Sequence, residues 1–282
     1  MCRSVLKGVI PMPINVKYLL GVALALAALA GCATNPITGR SQLMLVSGQE
    51  AVASSYQAYS AMTASLQQQA KINRDAAKVA RIRAITGRLI PHSFAWRSDA
   101  ARWKWEVNVI DSPEVNAFCM AGGKMAIYSG FFDKMNPSDD ELAQVMAHEI
   151  AHALSDHTRE KMSMAMASDL GVQLLATGAQ ASAGQTQMAH ALALYVIQMP
   201  NSRTAESEAD QIGIELAARA GYNPAAAISL WQKMARQGNG SPEWLSTHPS
   251  HETRIAELSR LTPRMEPLYR EAKGKKQQTY SF

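Results

Sequence analysis

The segment that most constrains the fold is a stretch of helix-forming residues, 139–157, with apolar side chains on most of its sides. A capping box, Ser138 to Glu141, indicates where this helix begins. A helix that is apolar most of the way round is a buried helix, so the rest of the chain must surround it. Two histidines and a glutamate nevertheless lie in its middle, in the sequence HEIAH at 148–152. Burying such groups is unfavourable unless they are paired or bind a metal.

The HEIAH sequence has the spacing of a zinc site. His148 and His152 are four residues apart, and side chains at this spacing lie about 5–6 Å apart on one face of a helix. Two imidazoles in that position can bind one tetrahedral zinc ion. Glu149 points roughly 100° away round the axis, so it suits a general base acting on a water better than a third ligand. The motif alone leaves one alternative open, which is a pair of hydrogen-bonded core histidines.

A third zinc ligand is predicted in the helix that begins after Ser202. Projected along the helix axis, Glu206 and Asp210 share a face with small and apolar residues, whereas Glu208 lies on the opposite face. Acidic groups on a buried face need partners. We therefore predict Glu206 as the third ligand and Asp210 as the acceptor that orients an imidazole N–H. Glu208 is predicted to be a solvated surface acid.

Residues 1–31 have the features of a secretory signal in the right order. Basic residues precede an apolar run from Tyr18 to Ala30, which at 13 residues is shorter than a membrane span of about 20. Small residues then precede Cys32, as in a bacterial lipobox, where the cysteine becomes the lipidated first residue. An ordinary signal with a chance cysteine is the alternative. Ala33 favours the outer membrane, so we predict a lipid anchor at Cys32 in the inner leaflet of that membrane, facing the periplasm.

Charge and cysteine content exclude other classes of protein. Removing residues 1–31 takes away three basic residues and no acidic ones, which lowers the net charge from +5 to +2, so no nucleic-acid partner is predicted. The three cysteines form no CxxC pair, which excludes a cysteine-based zinc cluster. With Cys32 acylated, Cys119 is left as a buried, unpaired thiol.

The remaining chain predicts a mainly α-helical α+β fold. Residues 49–69 and 73–90 read as helices, the second ended by Pro91. Residues 158–200 are either two packing helices or a mobile lid over the site. The predicted organisation is a signal peptide at 1–31, a lipidated N-terminus and tether at 32–48, a domain at 49–262 that contains the predicted zinc site, and a polar basic tail at 263–282.

Three further segments predict strands. Residues 103–110 alternate in polarity, and residues 115–120 and 124–130 flank Gly122-Gly123, which indicates a hairpin. We therefore predict a small antiparallel sheet of about three strands beside the HEIAH helix.

Four linked motifs resemble a known family. HEIAH, the Glu206-x-x-x-Asp210 helix after Ser202-Arg203, the loop STHPSHETRI and the strand sequence VNAFCMAGGKMAIYSG are similar to the forty-eighth metallopeptidase family, which includes HtpX-, BepA-, LoiP- and Oma-like proteases. The resemblance covers about residues 36–262. It implies a gluzincin-type core, one zinc ion per chain, and Glu206 as the third ligand. The small lipoprotein type represented by LoiP has the most similar layout.

The same resemblance assigns roles outside the two helices. Asn116, Ala117 and Phe118 would form an edge strand to which an extended substrate adds by backbone hydrogen bonds. His248 would stabilise the transition-state oxyanion or close the resting site as a fourth ligand. Arg254 matches the arginine of the last motif and could be structural. The other four histidines are predicted as surface or outer residues or left unassigned: His92, His157, His190 and His251.

These observations predict a zinc endopeptidase anchored by lipid in the bacterial envelope. The resemblance implies unfolded, misfolded or misassembled envelope proteins as substrates; the oligomeric state is not predicted. One rival is a chaperone-like binding module for unfolded envelope proteins whose zinc site is latched or little used. Hydrolysis of a non-peptide amide is a further enzymatic alternative.

Overall fold

The computed structural model describes residues 32–35, 37–177, 198–236, 243–248 and 253–282. Its helices are α1 Gly48–Gln68, α2 Ala76–Ser93, α3 Ser129–Met135, α4 Asp139–Leu154, α5 His157–Thr177, α6 Arg203–Arg219, α7 Ala226–Ala235, α8 Glu243–Thr247 and α9 Arg254–Lys273, with a 3-10 turn at Ser98–Arg102. Its strands are β1 Cys32–Thr34, β2 Ser41–Leu43, β3 Glu106–Ile110, β4 Ala117–Met120 and β5 Lys124–Tyr128. The mainly helical α+β prediction is confirmed. The predicted signal peptide and residues 178–197 of the possible lid lie outside the described residues.

Helix α4 is the centre of the core. Its capping box is formed, since Ser138 Oγ accepts from Glu141 N and the Glu141 carboxylate accepts from Ser138 N. Nearly every residue after Glu141 is buried, because α2, α6, α7 and strand β4 pack around it. The prediction from its all-round apolar pattern is therefore confirmed. The histidines and the glutamate of HEIAH lie inside the protein, where their polar atoms must find partners.

Helix α6 packs closely along α4 at one glycine. A Cβ atom added to Gly213 would lie 2.9 Å from the His148 Cα and backbone nitrogen, a distance that real Cβ atoms do not adopt. Any larger residue here would push the two backbones apart. Gly213 therefore allows the helix that carries Glu206 to approach the helix that carries the histidines.

The three-stranded sheet is present, but the predicted antiparallel arrangement is wrong for one strand. The strand order is β3-β5-β4, in which β4 pairs antiparallel with β5, as expected of a hairpin. Strand β3 pairs parallel with β5. The segment after Ile110 carries the chain past the position of β5 before β4 begins, so the sheet is mixed and β4 is its edge strand.

The hairpin turn has the predicted glycines for a steric reason. Gly122 and Gly123 both have positive φ, near +80° and +77°, a region that is strained for residues with a Cβ atom. A Cβ on Gly123 would also lie 2.5 Å from the Trp105 ring. The turn therefore fixes the position of β4 relative to β5.

Helix α2 does not end at Pro91 as predicted but continues to Ser93. Proline has no N–H to donate to the carbonyl four residues earlier, which is that of Gly87. Tyr280 N donates to the Gly87 carbonyl instead, at 2.7 Å. The C-terminal residues thus supply the hydrogen bond that Pro91 cannot make, which compensates for a proline in the last turn.

Two features concern the chain ends. The segment predicted as a tether contains the β1–β2 hairpin, and the side chains of Asn35 and Gln42 in this region are buried against the core. Helix α9 extends from Arg254 to Lys273, so the segment predicted as a polar basic tail at 263–282 begins inside a helix. Across the described residues, no helix combines the length and apolarity that crossing a membrane requires.

Candidate metal centre

The two histidines of α4 face each other with their Nε2 atoms. His148 and His152 are buried, their Nε2 atoms are 3.0 Å apart, and their rings meet edge to face. Helix geometry accounts for this arrangement, because residues four apart lie on one face. The helix predicted from the sequence therefore brings the two Nε2 atoms close together inside the core.

Helix α6 brings Glu206 to the same point. It begins at Ser202, whose hydroxyl accepts from Ala205 N, so Glu206 lies in the first turn. The carboxylate is fully buried, with Oε2 3.4 Å from His148 Nε2 and Oε1 3.3 Å from His152 Nε2. Glu206 Oε1 has no hydrogen-bond partner among the described residues. Two imidazoles and a carboxylate thus converge, and one oxygen of the carboxylate is left without a hydrogen-bond donor.

His248 completes a cluster of four. One ligand atom from each of His148, His152, Glu206 and His248 lies within 4.8 Å of the others, and all four residues are buried. Imidazole nitrogens with one carboxylate oxygen are the donor set that zinc takes in catalytic sites. The unpaired Glu206 oxygen supports the same conclusion, because a bound cation would satisfy it. The residues present therefore fit a zinc ion.

Asp210 and Arg254 hold the cluster from outside. Asp210 Oδ1 is 3.0 Å from His148 Nδ1, the position predicted from the helical projection. Arg254 is 0% exposed and donates through Nη1 to Glu206 Oε2 at 2.7 Å and through Nη2 to Asp210 Oδ1 at 2.6 Å. Its guanidinium lies 3.9 Å from the centre of the Trp231 ring. Arg254 thus neutralises two buried carboxylates that both touch the candidate metal ligands.

His157 and Glu208 form a second outer contact. His157 is buried, with Nδ1 2.7 Å from His152 Nδ1 and Nε2 2.8 Å from Glu208 Oε2. The prediction that Glu208 is a solvated surface acid is wrong, since its side chain is only 11% exposed. The helical projection placed Glu208 correctly opposite Glu206, but it could not show that the N-terminal hairpin and α5 cover this face.

The surroundings set the charge of these groups. Burial favours the neutral form of His148, but hydrogen bonds to Asp210 and Glu206 outweigh it and raise its pKa to about 9. Burial lowers the pKa of His152 well below its ordinary value. Burial also opposes the charge on Glu206, yet His248, His148 and His152 hold its pKa well below the usual range. Glu206 is therefore ionised and His152 neutral, the forms that bind a metal, whereas His148 must release a proton when a metal binds.

Glu149 lies beside the cluster and is held by a tryptophan. Its Oε1 accepts a hydrogen bond from Trp244 Nε1 at 2.8 Å and lies 3.4 Å from His248 Nε2. The Trp244 and His248 rings are stacked, 4.7 Å apart. Sequence reasoning did not single out Trp244, because a single tryptophan carries no local signal for a contact with a residue 95 positions away.

The predicted edge strand lies next to this glutamate. Phe118, Glu149 and His248 line one cavity, together with Lys161 of α5, whose pKa burial lowers to about 8. Asn116 and Ala117 come just before Phe118 on the same edge, and Asn116 Oδ1 accepts from Ala117 N at 2.9 Å. Trp244 N donates to Val115 O at 2.9 Å, so helix α8, which directly precedes His248, is bonded to the start of this edge.

Cys119 is buried, lines the same cavity as Glu149 and His248, and is a free thiol. His92 Nε2 lies 3.0 Å from Gln277 Oε1. Cys32 is the first residue of β1, and His190 and His251 lie outside the described residues.

Comparison with known proteins covers the same part of the chain. The Peptidase family M48 profile matches residues 76–262, which contain HEIAH, Glu206 and His248. The mitochondrial metalloendopeptidase OMA1 of Bos taurus is 33% identical over 245 residues, covering 81% of this chain and 46% of that protein. OMA1 of Saccharomyces cerevisiae is 37% identical over 180 residues, or 60% and 50% of the two chains. The beta-barrel assembly-enhancing protease of Escherichia coli is 31% identical over 192 residues, or 64% and 38%.

The chain spans half the length of these relatives or less, so the comparison concerns the catalytic region they share. Within the matched region His148 and His152 lie on α4, and Glu206 and Asp210 lie on α6, which are the helices predicted from the sequence. The chain belongs to peptidase family M48, a family of zinc-dependent metallopeptidases.

Proposed function

We propose that this protein is a zinc-dependent endopeptidase. His148, His152 and Glu206 would hold the ion, and the observation that carries the proposal is that their ligand atoms converge beside the carboxylate of Glu149. Zinc bound there supplies a Lewis acid, which lowers the pKa of a water and polarises a peptide carbonyl. The remaining chemistry falls to side chains of this chain.

Glu149 is the proposed general base. A carboxylate beside the reacting water can accept its proton and deliver that proton to the leaving amine. Trp244 Nε1 donates to Glu149 Oε1, which orients the carboxylate and leaves Oε2 for the water. His248 Nε2, 3.4 Å from the same carboxylate, can donate to the developing oxyanion when protonated or close the site in the resting state.

The backbone of β4 is the proposed substrate platform. Tyr128 N donates to Asn116 O, so in this antiparallel pair the even-numbered residues of β4 bond to β5. The amide and carbonyl groups of the odd-numbered residues then point to the open edge. Trp244 N uses Val115 O, and the Asn116 side chain uses Ala117 N. Ala117 O and both backbone groups of Cys119 remain as the proposed pairing positions for an extended substrate.

Substrate pairing predicts an alternating response to N-methylation. In peptides methylated at one amide at a time, every second position should lose about tenfold in kcat/KM, because one backbone hydrogen bond contributes roughly 0.5–1.5 kcal/mol and the methyl group blocks approach. Methylation at the positions between them should have little effect on cleavage, except at the cleaved bond itself. Cleavage rates of such a peptide set test this. A uniform response, without the period of two, contradicts strand addition.

The proposed setting is quality control of unfolded or misassembled proteins in the bacterial envelope. The name of the Escherichia coli relative associates that protein with assembly of β-barrels, and the signal-like N-terminus with Cys32 supports export and lipid anchoring. Cys32→Ser should move the protein from the membrane to the soluble fraction of lysed cells, while Cys119→Ser should not. Retention of the Cys32 variant on membranes argues against this anchor.

Digestion of unfolded casein tests the protease proposal. The zinc-loaded protein should cleave casein, and chelation or Glu149→Gln should stop cleavage. The second candidate, a binding module with a latched site, is favoured by His248 in the metal cluster and by the Trp244 contacts with Glu149 and Val115. His248→Ala separates the two, since an unlatched site should gain activity. If wild type and Glu149→Gln are equally inert and His248→Ala releases nothing, the protein is not a protease.

A further inference from the structure

The N-terminal hairpin is bonded to the end of the helix that carries the metal ligands. Asn35 Nδ2 and Gln42 Nε2 both donate to the carbonyl of Ser155, the residue that follows α4, at 2.8 and 3.0 Å. Both side chains are buried, at 3% and 2% exposure. These residues precede the region matched by the family profile, which begins at residue 76. The hairpin is therefore built into the surroundings of the metal centre.

Arg40, between the two hairpin strands, makes the most specific of these contacts. Its Nε donates to Glu208 Oε1 at 2.8 Å, and its Nη1 and Nη2 donate to the two carboxylate oxygens of Glu160 at 2.7 and 2.6 Å. Gln42 Nε2 also donates to Glu160 Oε2, at 2.9 Å. A two-pronged contact fixes the plane of the guanidinium, so Nε is aimed at Glu208.

The proton positions beyond Glu208 follow from its contacts. Glu208 Oε1 accepts from Arg40 Nε and Glu208 Oε2 lies 2.8 Å from His157 Nε2, so each oxygen faces a nitrogen and the carboxylate is the acceptor in both hydrogen bonds. His157 must then carry its proton on Nε2, which leaves a lone pair on Nδ1. That lone pair accepts from His152 Nδ1, 2.7 Å away. His152 is thereby left with a lone pair on Nε2, facing His148 and Glu206.

We propose that Arg40 is a positioning residue for the metal centre, acting on His152 through Glu208 and His157. The proposal rests on the zinc site proposed above. It predicts that the hairpin contributes to metal affinity as well as to stability, because it selects the one tautomer of His152 that can bind a metal through Nε2.

A matched control separates this relay, the series of hydrogen bonds from Arg40 to His152, from simple attachment of the N-terminal segment to the rest of the protein. Arg159 of α5 holds the same N-terminal segment, donating through Nε to Val46 O at 2.6 Å, and among the described residues it forms no hydrogen bond or ion pair with Glu208 or His157. Loss of Arg159 should loosen the segment and leave the relay intact. Loss of Arg40 should break the relay.

The test is zinc affinity of the full 282-residue chain, measured by competition with a chelating dye. Arg40→Ala should weaken zinc binding by about tenfold, at the lower end of the 10–100-fold expected for partners of metal ligands. It should also alter the visible absorption spectrum of the cobalt-loaded protein, and added guanidinium should restore both. Arg159→Ala should bind zinc within about twofold of wild type, since it leaves every partner of His152 in place.

Three results would overturn the proposal: unchanged zinc affinity in Arg40→Ala, an equal loss in Arg159→Ala, or a loss that guanidinium does not reverse. If Arg40→Ala does not fold, the nearly isosteric Glu208→Gln tests the same relay. The glutamine amide can donate to His157, which reverses the tautomers of His157 and His152. Unchanged zinc affinity in Glu208→Gln would also overturn the proposal. If the protein binds zinc tightly but does not cleave casein, the proposed protease activity is refuted, whereas the proposed role of Arg40 is unaffected.

Discussion

Glu149→Gln is expected to lower kcat/KM on unfolded casein by about 10²- to 10⁴-fold, the usual contribution of a general base. The amide of glutamine cannot accept a proton from the attacking water. Its oxygen can still accept from Trp244 Nε1, which holds the carboxylate at 2.8 Å in the native protein, so the fold should be kept. Casein digestion measured together with zinc content gives the result, with activity lost and zinc retained.

Glu215→Gln is the matched control for this variant. Glu215 lies on α6, the helix of the metal ligand Glu206, but pairs with Arg219 at the surface. Its substitution should leave casein digestion within about twofold of wild type, since exposed ion pairs contribute at most about 1 kcal/mol. If Glu149→Gln cleaved casein at the wild-type rate, Glu149 would be excluded as the general base. Loss of zinc from Glu149→Gln would show instead that the carboxylate supports the metal site.

The centre of the fold was predictable because its signals are local. The spacing of His148 and His152 on one helix, and the shared face of Glu206 and Asp210 on another, follow from helix periodicity alone. The all-round apolar pattern of residues 139–157 predicted a buried helix, and it is buried. Each inference needed only the residues of one element.

The parts that were missed depend on contacts between distant elements. Glu208 is covered because Arg40, 168 residues earlier, bonds to it, and a helical projection contains no such neighbour. Helix α2 passes Pro91 because Tyr280 supplies the missing donor. Strand β3 runs parallel to β5 because the chain crosses the sheet before β4, whereas turn glycines report only the hairpin that contains them.

Arg254→Met is expected to lower the free energy of unfolding of the metal-free protein by about 3–5 kcal/mol, the usual cost of removing one partner of a buried ion pair. Arg254 donates to both Glu206 and Asp210, and its guanidinium is fully buried. Methionine keeps the length and the packing on Trp231 but leaves two carboxylates without their cation. Urea unfolding with and without zinc measures the effect, which should be smaller with zinc because a cation binds the folded state only.

Two further variants test whether the instability of Arg254→Met comes from the charges that it leaves on Glu206 and Asp210. Arg219→Met removes a half-exposed arginine from its pair with Glu215 and should cost no more than about 1 kcal/mol. Adding Asp210→Asn to Arg254→Met should recover part of the loss, because one of the two unpaired carboxylates becomes neutral while its oxygen still accepts from His148 Nδ1. If the two substitutions instead add to a larger loss, the charges left on Glu206 and Asp210 are not the main cause of the instability of Arg254→Met.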